Sequence, residues 1–241
     1  MTDKDMDKIN QLVENVEEIN AMPEIALDLM GLINDPKTTI TDLVKKVKLD
    51  EALAAFILKN CNSPLYGVRT EIHSINQALT LLGFSTIRSI LTSYFNKNLY
   101  SISGKSEIKK QLWLHSVTVA SFSQSIAEHL KLDSEEAYLA GLLHDIGKLI
   151  IYSAHTTEYE KILKQFGESD STSCEIEEKQ LGYTHSEVGA RVMKKWNFLD
   201  SLIEAARFHH NEQHFDSANG NIGVVAFADQ VTKHLIDKKE I

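Results

Sequence analysis

Cysteine, proline and positive charge are all scarce in this chain. Its two cysteines, Cys61 and Cys174, lie far apart and form no Cys-x-x-Cys spacing, which excludes a disulfide framework and a zinc ribbon. No uninterrupted apolar run approaches the roughly 20 residues that a membrane helix requires, and Met1 to Lys8 has no apolar signal core. A cytoplasmic chain with no membrane partner is expected. Against 34 Asp and Glu there are 25 Lys and Arg, a formal net charge of -9. Such a surface repels phosphate backbones, so general nucleic-acid binding is not expected; an anionic small ligand would need a local metal or lysine cluster to reverse the field. Period-two alternation and Asn-Gly hairpins are missing, and Gly220 and Gly223 lack the spacing of a phosphate-cradling loop.

What is present is ordinary globular material, 43% hydrophobic and 24% charged, enough to bury a core in one domain or two lobes. Apolar residues recur at helical spacing nearly everywhere, as in Ile9, Leu12, Val13 and Val16, or Val119, Phe122 and Ile126. Thr39 or Thr41, Asp133 or Ser134, and Thr184 are placed to cap helices; Asn60 to Arg69, rich in turn formers, reads as a loop. The expectation is an all-α fold: an N-terminal helical extension over 1–21, a helical lobe over 22–100, and a second helical lobe over 105–241.

Within the apolar run from Gly141 to Ile151 stand His144, Asp145 and Lys148. Burying such groups unpaired costs several kcal/mol or forces them neutral, so the fold must supply partners or a metal. At a helix start, adjacent His and Asp can lean toward one ion, and Lys148 is three and four residues further on. The C-terminal half adds His115, Glu178, His185, the His209-His210 pair and Asp229. Imidazole and carboxylate suit Fe, Mn or Zn, and the set could hold one or two ions. Each residue alone has a plainer reading: a satisfied core histidine at His115, a solvated face at Glu178. Consecutive histidines point about a hundred degrees apart on a helix, so one of His209 and His210 is a direct ligand and the other orients or meets substrate. Asp229, set in Val-Val-Ala-Phe-Ala-Asp, needs a partner.

The run Ala140-Gly-Leu-Leu-His-Asp-Ile-Gly-Lys148, with His115 before it and His185, His209-His210 and Asp229 after it, resembles the HD superfamily of metal-dependent phosphohydrolases. More narrowly the chain resembles the HDOD family of bacterial signalling proteins. The segments that carry this are Met22-Pro-Glu24, Lys48-Leu-Asp-Glu-Ala-Leu53, Asn60-Cys-Asn-Ser-Pro64, and Ile75-Asn-Gln-Ala-Leu79 followed by Leu82-Gly83. The resemblance implies a helical regulatory domain of signal transduction, partnered by a signalling protein or a phosphate-containing small molecule. It also implies a metal set of His115, His144, Asp145, His185, His209, His210 and Asp229.

Two functions follow. One is a regulatory module, in a family often regarded as having lost its metal chemistry, that here retains the site. The other is a phosphohydrolase acting on a nucleotide or cyclic dinucleotide, with Asp145 and Lys148 as its catalytic residues. The related HD-GYP phosphodiesterases carry Gly-Tyr-Pro after the double histidine, whereas this chain reads His209-His-Asn-Glu-Gln-His-Phe215. Without any metal, the cluster would be a buried hydrogen-bond network.

Overall fold

Apolar residues three and four apart fold into α-helices throughout, and no strand occurs among the described residues. The structure, a computed structural model, describes residues 3–15, 28–29, 31–33, 35–47, 51–62, 72, 74–101, 106–168, 172–196, 198–215 and 220–237. The chain divides into two compact units, one of Met22–Asn98 and one of Met1–Ala21 with Leu99–Ile241.

In the smaller unit the described helices include α2 (Ile40–Val47), α3 (Glu51–Cys61) and most of α4 (Ile75–Ser101). Thr39 opens α2 reciprocally: its hydroxyl accepts from the Asp42 backbone N–H, while Asp42 Oδ2 accepts from the Thr39 backbone N–H at 3.1 Å. Leu43, Val47, Leu53, Ile57, Leu79, Ile87 and Leu91 are buried. Of the loop expected at Asn60 to Arg69, residues 63–69 lie outside the described residues, and Asn60 and Cys61 still belong to α3. The Asn62 side chain pairs with both backbone groups of Ile72, at 2.7 and 2.8 Å. Gly83 breaks α4 with φ 75° and ψ 173°, where a side chain would be strained.

The larger unit begins with α1 (Asp3–Glu14), which buries Ile9 and Leu12. It continues through α5 (Glu107–Leu130), α6 (Ser134–Leu143), α7 (Ile146–Ala154), α8 (Thr156–Glu168), α9 (Ser173–Leu181), α10 (His185–Lys195) and α11 (Asp200–Phe208). A 3-10 turn (Glu212–His214) then leads to α12 (Gly220–Asp237). Caps fix the starts: Ser106 accepts from Lys109 N–H, Asp133 from Glu136, Thr184 from Glu187, and Thr172 with Glu175 forms a capping box. α1 lies along α10. Lys195 Nζ donates to the terminal carbonyls of Val13 and Glu14, and Arg191 donates to Asn10 Oδ1.

Two glycines set the helix spacing. A Cβ on Gly141 would stand 2.8 Å from Ala120 Cα, so its absence lets α6 lie directly on α5. At Gly147 a Cβ would stand 1.9 Å from the carbonyl oxygen of His185, the first residue of α10. Backbone cannot yield there as a flexible side chain would. Gly147→Ala is therefore expected to lower stability by about 3 kcal/mol, the upper end of overpacking costs. Gly31→Ala, whose Cβ meets nothing within 4 Å, is expected to be neutral or to stabilise by about 0.5–1 kcal/mol. Thermal or urea unfolding of the two variants measures the contrast.

Candidate metal centre

Five segments of the larger unit converge on one point. His115 comes from the middle of α5, His144 and Asp145 from the corner between α6 and α7, His185 from the first turn of α10, His209 from the end of α11, and Asp229 from α12. All are buried except His115, whose side chain keeps 14% of its surface. Asp145 stands at the N-cap position of α7 yet makes no side-chain cap bond. Its carboxylate turns inward instead, and the helix start gives up its usual stabilisation of about 1 kcal/mol.

The two oxygens of Asp145 face different groups. Oδ2 lies 3.3 Å from His144 Nε2, 3.6 Å from His115 Nε2 and 2.7 Å from Lys148 Nζ. Oδ1 lies 3.2 Å from His185 Nε2 and 3.6 Å from His209 Nε2. Asp229 Oδ1 is 3.0 Å from His115 Nε2 and 3.8 Å from His144 Nε2, while its Oδ2 accepts from Lys233 Nζ at 2.6 Å. Burial opposes charge on Asp145, but His144 and Lys148 beside it hold its carboxyl well below the usual carboxylate range. Asp229 is lowered likewise: burial is outweighed by His115 and His144.

Behind the cluster, the outer ring nitrogens are committed. His144 Nδ1 donates to Gly141 O at 2.7 Å, His209 Nδ1 to Ala206 O at 2.9 Å, and His185 Nδ1 to Glu177 Oε2 at 2.7 Å. Such partners fix the ring and turn Nε2 inward, as they do for metal-ligating histidines. The inward atoms are the ones left without hydrogen-bond partners: Nε2 of His115, His144, His185 and His209, with Oδ1 of Asp145 and of Asp229. They are close, but none is aligned for an N–H···O bond. Six orphaned buried atoms facing one another do not make a satisfied network, and they are the donor types that hold a divalent cation. Among the described residues three sets have ligand atoms within 4.8 Å of one another: His115 with His144 and Asp145, Asp145 with His185, His209 and His210, and, behind His185, Cys174 with Glu177 and His185. The residues fit an ion.

His209 and His210 part company here. His209 is buried, whereas His210 is exposed and packs its ring 4.0 Å from that of His209 and 5.2 Å from that of His185. Lys148 is buried, its ammonium on Asp145.

Glu178 is exposed and takes no part; its neighbour Glu177 is fully buried. Glu177 Oε2 accepts from both the backbone N–H and Nδ1 of His185, each at 2.7 Å, and Oε1 accepts from Tyr159 at 2.5 Å. The signal was helical phase: on α9, Ser173, Ile176 and Glu177 share the buried face, and Glu178 is a hundred degrees away. Tyr159 carried no such signal, being one more large residue on the inner side of α8.

The model of the HDOD domain family matches residues 19–212. The chain belongs to the HDOD family. A curated protein of Treponema pallidum (strain Nichols), itself uncharacterised, is 24% identical to this HDOD chain over 227 residues, 93% of the chain and 44% of the relative. Ribonuclease Y of Aquifex aeolicus (strain VF5) is 28% identical over 142 residues, 57% of the chain and 21% of that enzyme. The HDOD chain thus spans less than half the length of these curated relatives. Among solved structures, a Shewanella amazonensis SB2B protein provisionally described as a phosphohydrolase superposes with a TM-score of 0.76 at 25% identity, covering 95% of this chain and 81% of that one.

Glu177 charged and Tyr159 protonated are mutually consistent. Burial and the adjacent carboxylate push the Tyr159 hydroxyl well above its ordinary value, so it stays a donor. Tyr159→Phe would leave Glu177 Oε1 buried without that donor, at a cost of about 1–3 kcal/mol. Chemical denaturation of the variant is expected to show this loss with unchanged helix content by circular dichroism.

Proposed function

We propose that this HDOD chain is a regulatory module of signal transduction that binds one or two divalent cations, Fe, Mn or Zn, in its larger unit. The ligands of this reading are His115, His144, Asp145, Asp229, His185 and His209, with His210 at the rim. The observation that carries it is the set of six buried, orphaned nitrogen and oxygen atoms turned toward one another. The partners proposed are a signalling protein or a phosphate-containing small molecule.

A second reading, hydrolysis of a phosphoester, is favoured by the buried ammonium of Lys148 beside these ligands and by the way the cluster meets solvent at His210, His115 and Lys233. A bound cation would supply Lewis acidity and a more acidic bound water. The chain's own residues would then do the rest: Asp145 holds both halves of the centre through its two oxygens, and Lys148 offsets negative charge that develops on a phosphate. His210 would contact the substrate from the rim. The net charge of -9 favours a small phosphoester over a polynucleotide. The absence of Gly-Tyr-Pro after His210 argues against carrying over the HD-GYP substrate.

Elemental analysis of protein purified without added metal tests the first reading, and a phosphoester screen with and without Mn or Fe tests the second. Asp145→Ala is expected to lose the bound metal, and any hydrolysis with it. Metal at whole-number stoichiometry with no turnover on any nucleotide sinks the second reading; no metal under any condition sinks both.

The pH dependence has a definite sign. Burial alone would push His144 down, but Asp145 and Asp229 beside it carry the ring up to about 9. His185 moves the same way, its burial outweighed by Glu177. Their protons occupy the place a cation needs and must leave when it binds. Apparent metal affinity is therefore expected to rise with pH, by about tenfold per unit for each proton displaced, the share due to His144 ending at about 9. Calorimetric titration in buffers of different ionisation enthalpy measures both the slope and the protons released.

A further inference from the structure

We infer that the two halves of the centre bind cations with unequal strength, the tighter being Asp145 Oδ1 with His185 and His209, and that Glu177 and Tyr159 are the positioning residues of that half. The inference rests on the metal reading above and adds an order to it.

The half at His185 is held rigidly, and no ammonium group sits on its carboxylate oxygen, since Lys148 is on Oδ2. Glu177 grips His185 at both the backbone N–H and Nδ1, and Tyr159 holds Glu177 from behind; both Glu177 and Tyr159 have no exposed surface. A carboxylate behind an imidazole fixes its tautomer and makes the opposite nitrogen a better donor. That nitrogen, His185 Nε2, points at Asp145 Oδ1, 3.2 Å away, and no hydrogen bond competes for Oδ1. His209 is fully buried and held by carbonyls of its own helix.

The half at His115 differs on each count. Lys148 already sits on Asp145 Oδ2 and Lys233 on Asp229 Oδ2, so two ammonium groups oppose an incoming cation. His144 is fixed through Gly141 O, but no described residue accepts from His115 Nδ1, and His115 is the only partly exposed histidine among the four that face inward. Ordering that ring and displacing the lysines must come out of the binding free energy of this half.

Zinc titration of the metal-stripped full chain, followed by calorimetry or competition with a chelating dye, tests the order. Two phases are expected. Glu177→Gln, which keeps an acceptor for His185 and removes the charge, should weaken the tighter phase by about 10–100-fold and leave the weaker one in place. His115→Ala should remove the weaker phase only. Tyr159→Phe, which keeps the carboxylate, should weaken the tighter phase by less than Glu177→Gln and serves should that variant fail to fold. A purely structural role for Glu177 would weaken both phases together, so a loss confined to the tighter phase, with the weaker phase keeping its affinity in the same folded variant, is the readout that marks a positioning role. The order is overturned by a single phase for two ions, by loss of the tighter phase in His115→Ala, or by an unchanged tighter phase in both Glu177→Gln and Tyr159→Phe. A wild-type chain that binds no zinc overturns the metal reading itself.

Discussion

Asp145 is a carboxylate almost wholly removed from water in the middle of a helical core, and everything near it answers to that charge. Desolvating a carboxylate costs several kcal/mol, so it stays ionised only where cations or proton donors surround it. Lys148 occupies one oxygen; His144 and His115 flank the same side, and His185 and His209 face the other. The negative charge gathers the imidazoles, and the imidazoles justify the burial. Remove the carboxylate and the buried Lys148 ammonium loses the oxygen it sits on.

Helix geometry makes this gathering feasible. His144 and Asp145 sit where α6 ends and α7 begins, His185 opens α10 and His209 closes α11, so most of the cluster comes from helix ends. At an end, a side chain can turn across the axis without clashing with the next turn. Ends come this near each other only if the backbones touch. Gly141 against Ala120 and Gly147 against His185 provide the contact, and two residues without side chains thereby fix the positions of three that carry chemistry.

Much of this was legible in the sequence, because helical phase and capping are local. The caps at Asp133 and Thr184 follow from residues within four positions of each. The His-Asp doublet stood out because polar groups in an apolar run demand compensation. Partners set by packing were not legible. Glu177 and Glu178 are chemically the same, and only the phase of a helix whose start depends on Thr172 tells them apart. Likewise, either histidine of the 209–210 pair could have faced inward, and the burial of α11 against its neighbours decides for His209. Nor does any local pattern place α1 along α10, since Arg191 and Lys195 meet it from more than 180 residues away.

The inward-facing atoms suit an ion better than a hydrogen-bond network. A network needs donors matched to acceptors, yet Nε2 of four histidines and Oδ1 of two aspartates find no aligned partner. Protons on His144 and His185 relieve the charge without supplying that alignment, because a proton on one ring serves one acceptor at a time. A cation serves all its ligands at once and asks for convergence rather than alignment. On the metal reading proposed above, proton and metal would be alternative occupants of the same space, one favoured at low pH and the other when divalent ions are plentiful. His185 would be where the two compete, and it stands in the first turn of α10, the helix on which α1 rests.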